Sequence, residues 1–324
     1  MNVLDVCDLS VEFRTIEGPV HALRHVDVSV PRGKIVGVVG ESGSGKSTLA
    51  LAIMGLMQAN AAITGGRAEF GGKNLFALSP AEMRDVRGPR ISMIFQDPMT
   101  SLNPVRSIGR QMSDIQYRDH SASSGEKLER AAEALRLVGL PDAVAQLKRY
   151  PHQFSGGMRQ RIAIAMSLLQ KPELLIADEI TTALDVTLEA QILHLLRELR
   201  TELEGSILFI SHNLGAIAEI CDMVVVLYAG EVVEHGPVDE IFNRPQHPYT
   251  RALIECDPAR IALATRGLPV IPGEVPNLRS IPAACIFAPR CPLVFARCRA
   301  ERPADIRVAA GHAARCHLAE ASPA

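Results

Sequence analysis

The stretch Gly40-Glu41-Ser42-Gly43-Ser44-Gly45-Lys46-Ser47 decides the fold. It fits the pattern G-x-x-x-x-G-K-[ST], whose spacing serves phosphate binding. Glycines let successive backbone N–H groups converge on phosphate oxygens. The loop then enters a helix N-terminus, whose unpaired donors and dipole favour anions. Lys46 has the reach for the β- and γ-phosphates of a nucleotide, and Ser47 offers a hydroxyl to Mg²⁺. A Gly/Ser surface loop could match the letters alone. The context is more demanding: the apolar run Ile35–Val39 reads as a strand buried on both faces, and a helix is predicted over residues 47–57.

Downstream, Leu174-Leu175-Ile176-Ala177-Asp178-Glu179 is a second apolar strand, ending in two acids. The C-terminal ends of strands are where α/β sheets bind ligands. Asp178 is placed to hold the Mg²⁺ shell, and Glu179 to orient or deprotonate an attacking water. Alone, Asp-Glu at a strand end reads equally well as a helix cap. The phosphate loop earlier in the chain favours the catalytic reading.

Between and around these motifs the pattern alternates. Strands are expected at residues 3–6, 11–14 and 26–30, with a turn at Pro31-Arg32-Gly33, and again at 207–210, 224–227 and 232–233. Helices are expected at 126–138 and 158–169. Leu188, Ile192, Leu195, Leu196, Leu199 and Leu203 mark the apolar face of another. Strands alternating with helices imply a mainly parallel sheet covered on both faces. Residues 97–150 have few β-branched runs and read as a helical insert. From about residue 258 prolines and cysteines crowd in and periodicity fades, which places a domain boundary between 250 and 270.

Bulk properties exclude several classes. The 324 residues are 47% hydrophobic and 22% charged, as in a globular protein with a full core. A net charge of −2 offers no basic field for nucleic acid. No apolar run approaches the roughly 20 residues of a membrane span. The opening MNVLDVCDLS lacks a secretory pattern, so a cytosolic chain is expected, touching any membrane through a partner.

With the two nucleotide motifs placed, the chain resembles the ATP-binding subunits of ABC transporters. Ser155-Gly156-Gly157-Met158-Arg159-Gln160 is similar to that family's signature, which binds the γ-phosphate held by the opposite subunit. Gln96 occupies the Q-loop position, Ala183-Leu184-Asp185 resembles the D-loop, and His212 matches the switch histidine at the γ-phosphate. Phe13 matches the aromatic that stacks on adenine. Phe95-Gln96-Asp97-Pro98-Met99-Thr100-Ser101-Leu102-Asn103-Pro104 and His247-Pro248-Tyr249-Thr250-Arg251 narrow the resemblance to the dipeptide/oligopeptide/nickel importer branch. Two departures stand out: Ile180 replaces the family's proline after the catalytic glutamate, and Phe154 replaces the leucine before the signature.

The resemblance implies a P-loop NTPase nucleotide-binding domain over residues 1–257, with a RecA-like core, an antiparallel β subdomain and a helical subdomain at about 97–165. A Cys-rich importer-type extension follows over 258–324. It implies ATP contacts from Phe13, Gly40, Ser42, Gly43, Ser44, Gly45, Lys46, Ser47, Thr48, Ser155, Gly156, Gly157 and Asp185. It further implies that Ser47, Gln96 and Asp178 bind Mg²⁺ and that Glu179, His212 and Gln96 serve hydrolysis. The expected activity is ATP hydrolysis driving import of di- or oligopeptides, with nickel or another small solute as the alternative cargo. A soluble, non-transport ABC ATPase is disfavoured by the single phosphate loop and the short insert. The expected partners are a second, homologous ATPase (a heterodimer), two permeases and an extracytoplasmic binding protein. The expected location is the cytoplasmic side of the bacterial inner membrane.

Of seven cysteines, Cys285, Cys291, Cys298 and Cys316 group late in the chain as C-x5-C-x6-C-x17-C. An odd total disfavours a disulfide framework. The close C-x2–4-C pair usual for zinc is absent, whereas iron–sulfur clusters accept thiolates from wider loops. The resemblance implies a [4Fe–4S] cluster on these four, with zinc or free thiols as alternatives. Cys7, Cys221 and Cys256 read as small core hydrophobes.

Overall fold

The computed structural model describes residues 1–96, 101–182, 185–203, 205–257 and 269–321. Three expectations from sequence lie outside these residues: the segment Asp97-Pro98-Met99-Thr100, the D-loop pair Ala183-Leu184, and the boundary at 258. The chain forms two compact units, Met1–Ala77 with Phe209–Ala324, and Leu78–Leu208.

The first unit opens with β1 (Asn2–Thr15) and β2 (Gly18–Pro31), paired antiparallel from Asn2↔Pro31 to Thr15↔Gly18. The sequence suggested two short strands within the β1 segment. They are one strand, because the interruption is a bulge and not a turn. Asp8 (φ 55°) and His25 (φ 48°) take left-handed backbone on the two strands, and the Asp8 carboxylate meets His25 Nδ1 at 2.6 Å. Next come β3 (Ile35–Val39), wholly buried, and α1 (Lys46–Met54). This helix stops three residues short of the expected end because Gly55 (φ 60°) caps it, its N–H turning to the carbonyls of Ala52 and Leu51. β4 (Ala61–Phe70) and β5 (Lys73–Asn74) complete an antiparallel sheet of order β2-β1-β4-β5.

The second unit holds α2 (Pro80–Val86), β6 (Ile91–Ile94), α3 (Ile108–Ile115), α4 (Ser124–Leu137), α5 (Ala143–Gln146), α6 (Gly156–Leu168), β7 (Leu174–Asp178) and α7 (Val186–Leu203). β6 and β7 are parallel, with Ile91↔Leu174 and Ile94↔Ala177 in register. Ser123 and Glu126 form a capping box that starts α4. Arg161 on α6 bonds the Val138 carbonyl after α4 (2.6 Å) and Gln191 on α7 (2.7 Å). A Cβ on Gly157 would stand 2.8 Å from Leu188, so glycine permits the close approach of α6 and α7.

β8 (Ser206–Ile210) returns the chain to the first unit, where α8 (Leu214–Ile220), β9 (Met223–Tyr228), β10 (Glu231–Pro237), α9 (Val238–Asn243) and α10 (Pro248–Glu255) follow. β3 and β9 pair parallel, Val36↔Met223 through Val39↔Val226. Ile35, Val36, Val38 and Val39 are at most 1% exposed, each such side chain contributing about 1.5–3 kcal/mol relative to exposure. The tail adds α11 (Ala296–Ala300), β11 (Ile306–Ala309) and β12 (His312–Ala314). Within this unit β11, β12, β10, β9 and β3 lie side by side in that order. The α/β class, with parallel pairs at its core and a separate antiparallel sheet, is the one the sequence implied.

Candidate active site

The phosphate loop joins β3 to α1. Gly40 sits so close to β9 that a Cβ would fall 2.0 Å from the Leu227 carbonyl oxygen. Gly45 (φ 104°) would set a Cβ 2.6 Å from Leu23 Cδ2 and 2.8 Å from the Ala22 carbonyl. These approaches fix the loop's path, while Ser42 and Gly43 stay exposed. The Lys46 ammonium is folded into the loop, donating to the carbonyls of Gly40 (2.8 Å) and Glu41 (3.2 Å). α1 begins without a side-chain cap and without an acid in its first turn, which leaves its end electropositive. Ser44 Oγ is buried with no hydrogen-bond partner. An orphaned hydroxyl inside a donor-lined loop fits a polyphosphate that would bond it. Ser47 and Thr48 follow, half-buried in the first turn.

The second unit carries the carboxylates. Asp178 closes β7 at 5% exposure. Because Ile94 pairs with Ala177, Gln96 and Glu179 each lie two residues past a paired position on adjacent parallel strands. Their side chains meet, Gln96 Nε2 donating to Glu179 Oε2 at 2.9 Å. The Thr182 hydroxyl lies 3.5 Å from the same oxygen. Glu179 has φ 48°, a left-handed conformation costing a non-glycine residue about 1–2 kcal/mol. Buried Ile180, 2% exposed, anchors the chain directly after it. A strained carboxylate held by a neighbouring amide has the fixed placement that a base or water-orienting group requires.

Ser155 caps α6, its Oγ accepting from the Met158 N–H (3.3 Å). Ser155 and Gly156 are exposed, so the N-terminus of this 13-residue helix is open to an anion. Phe154, the departure from the family's leucine, is 4% exposed, with the Arg149 guanidinium 4.8 Å from its ring centroid. Asp185 caps α7, Oδ1 accepting from the Leu188 N–H at 3.0 Å. In the first unit, the Ser211 N–H bonds the Val38 carbonyl (3.2 Å), which brings exposed His212 to the strand end where the phosphate loop begins. Phe13 is half-buried in β1, opposite Val20 and Ala61.

Two contacts on the loop were not foreseen. Tyr249, within the segment His247-Pro248-Tyr249, accepts the Glu41 N–H on its hydroxyl (3.0 Å). Arg290, from the tail, forms an ion pair with Glu41. The tyrosine was visible as part of a motif, but nothing in its spacing to the loop signalled the contact.

The four late thiols come near one another. Cys285, Cys298 and Cys316 are buried and Cys291 is half-buried, and the Cys285 N–H bonds the Cys298 carbonyl at 3.0 Å. Burial pushes the Cys285 thiol up to about 11, with Cys298 and Cys316 adding to the rise. Burial also raises Cys291 and Cys316. Among the described residues, however, no three His, Cys, Asp or Glu side chains are gathered so as to hold a metal ion. The four thiols come from two turns, a short helix and the segment after β12, and no single loop draws them onto one point. Of the remaining three cysteines, Cys221 is buried, and Cys7 and Cys256 are half-buried.

Comparison with known proteins gives matches to two family models: "ABC transporter" over residues 23–182, and "Oligopeptide/dipeptide transporter, C-terminal region" over residues 233–298. A "Probable peptide ABC transporter ATP-binding protein" of Sinorhizobium fredii is 49% identical across 97% of this chain and 94% of its own length. The oligopeptide transport ATP-binding protein OppD of Salmonella typhimurium is 45% identical, over 94% and 90%. The dipeptide transport ATP-binding protein DppD of Escherichia coli is 44% identical, over 98% and 97%. Among solved structures, a dimeric ATP-binding cassette in a post-hydrolysis state with ADP and phosphate superposes with TM-score 0.65 at 26% identity, covering 72% of this chain and 98% of that one. CbiO1 of Clostridium perfringens, part of an ABC transporter complex, gives 0.64 at 28%, covering 75% and 91%.

Proposed function

The chain belongs to the ABC transporter ATP-binding family, in its oligopeptide/dipeptide branch, and from that premise we propose that it powers the import of small peptides. It is an ATPase, and its hydrolysis is coupled to transport. The observation that carries the catalytic assignment is the Glu179 carboxylate held 2.9 Å from Gln96 beyond paired parallel strands.

In this reading the amides of residues 40–47 and the Lys46 ammonium bind the β- and γ-phosphates. Lys46 exchanges its bonds to the Gly40 and Glu41 carbonyls for bonds to phosphate oxygens. Ser47, Gln96 and Asp178 would hold Mg²⁺, which would supply positive charge against the phosphates. Glu179 accepts a proton from, or orients, the attacking water, with Gln96 fixing its carboxylate. His212 donates to the γ-phosphate, and Phe13 stacks on the adenine. Ser155, Gly156 and Gly157 bind the γ-phosphate held by a second ATPase subunit, and Asp185 lies at the same interface. That second subunit is a homologous chain, and closure of the pair drives two permeases fed by an extracytoplasmic binding protein. No helix among the described residues is long and apolar enough to cross a membrane. In this reading, attachment to the cytoplasmic face of the inner membrane runs through the permeases.

The cargo assignment rests on the importers that the relatives serve. It is tested by deleting the gene and following uptake of a labelled dipeptide and of nickel. Loss of dipeptide uptake alone, restored by the wild-type gene and not by Glu179→Gln, is the expected result. Loss of nickel uptake alone would overturn it. For the tail, the proposal is that Cys285, Cys291, Cys298 and Cys316 bind a [4Fe–4S] cluster, which requires the thiols to draw together when it is inserted. Anaerobically purified protein should then contain iron and acid-labile sulfide and absorb in the visible. Stoichiometric zinc, or no metal, would refute this.

A further inference from the structure

Glu41 is an unexpected residue for its position. It is the second member of a loop whose work is to attract a polyanion, and a carboxylate there opposes that work. The structure turns this charge away. Arg290 grips both oxygens of the carboxylate, Nη1 to Oε2 at 2.8 Å and Nη2 to Oε1 at 3.1 Å. The guanidinium is fixed in turn: Nε donates to the Pro272 carbonyl (2.9 Å), Nη2 to the Ile271 carbonyl (3.0 Å) and Nη1 toward the Tyr228 hydroxyl (3.4 Å). These contacts employ every N–H that an arginine has. The Arg290 side chain is 4% exposed and that of Glu41 29%. Behind them Tyr228, Tyr249 and Phe287 pack ring against ring, with centroids 4.5–5.4 Å apart. Tyr249 also holds the Glu41 N–H.

We propose that Arg290 is a positioning residue for nucleotide binding: it neutralises Glu41 and holds it aside, so that the phosphate loop presents only donors to ATP. The inference rests on the ATPase reading above and adds to it a role for the tail. A contact needed only for packing would not require a buried charge, since apolar side chains of similar volume serve packing as well or better. The fork geometry of arginine matches a carboxylate in two bonds, which lysine cannot do.

The test is Mg·ATP titration of the full chain at low and high salt, with thermal unfolding as the control for folding. Arg290→Gln should weaken binding on the order of tenfold at low salt and less at high salt, because it uncovers a charge. Adding Glu41→Gln to that variant should restore affinity to within about threefold of wild type, and Arg290→Lys, which keeps the charge but loses the fork, should fall between Arg290→Gln and wild type. Wild-type affinity in Arg290→Gln would overturn the proposal. So would a double variant as weak as Arg290→Gln, or a loss that salt leaves unchanged. If Arg290→Gln does not fold, Glu41→Gln alone decides: affinity equal to or tighter than wild type supports the proposal, and weaker binding overturns it. A wild-type chain that ignores Mg·ATP would refute the ATPase reading instead.

Discussion

Gly45→Ala offers the sharpest test of the phosphate loop. The residue has φ 104°, where a Cβ costs about 1–2 kcal/mol in local strain. The added methyl would stand 2.8 Å from the Ala22 carbonyl. That oxygen belongs to β2, whose backbone is tied to β1 through pairs such as Leu23↔Val11 and cannot give way cheaply. Leu23 Cδ2, at 2.6 Å, can rotate. Overpacking of this kind costs about 1–3 kcal/mol, so the combined penalty is about 2–5 kcal/mol. Gly43→Ala is the internal control. Its φ is 78°, yet nothing lies within 4 Å of its Cβ, so it carries the strain alone. The two variants should differ by about 2 kcal/mol, roughly thirtyfold in an equilibrium constant. Urea unfolding gives the part of each penalty borne by the fold, and Mg·ATP titration gives the part borne by the site; their sum is the quantity compared. If Gly45→Ala proves no worse than Gly43→Ala, packing against β2 does not shape the loop.

Glu179→Gln should retain Mg·ATP binding while steady-state phosphate release falls by at least about a hundredfold, the usual contribution of a positioned acid or base; equal turnover would remove Glu179 from the chemistry. Ser155→Ala should lower urea stability by about 1 kcal/mol through the lost cap, and the ATPase activity of the assembled subunit pair should fall far more than that stability change explains. His247 is 1% exposed, beside the Glu234 carboxylate, and burial lowers its pKa to about 4. The unfolded chain therefore binds the extra proton between about pH 6.5 and 4, and stability is lost as pH falls through that window, by as much as roughly 3 kcal/mol. His247→Asn, measured by urea unfolding from pH 7 to 4, should flatten that part of the profile.

The phosphate loop was legible because every element of its mechanism is local. Glycines, lysine and serine lie within eight residues, between a strand and a helix that announce themselves. The carboxylate pair was legible for the same reason, and parallel register then brought Gln96 to Glu179. What resisted reading was non-local. Glu41 and Arg290 are 249 positions apart, and neither residue's neighbours mark it as one half of a pair. β4 escaped because its Ala- and Gly-rich sequence alternates weakly and much of it is exposed. The bulge at Asp8 looked like a turn, since polar residues such as Asp8 and Ser10 between two apolar runs serve either. The cysteine spacing revealed a group of thiols, but spacing carries no information on whether their sulfurs converge.

The β11–β12 hairpin governs whether copies of the chain can pair edge to edge. β12 pairs with β10 at Glu234↔Ala314 and His235↔Ala313, and β11 covers β12. Remove residues 306–314, and β10 becomes a border strand with unpaired amides and carbonyls beside Val232 and Val233. Such a border templates pairing between molecules. The native border, β11, is four residues long and carries an arginine, two features that discourage stacking. A chain cut before Ile306 should therefore self-associate in a concentration-dependent way, even with its nucleotide motifs intact.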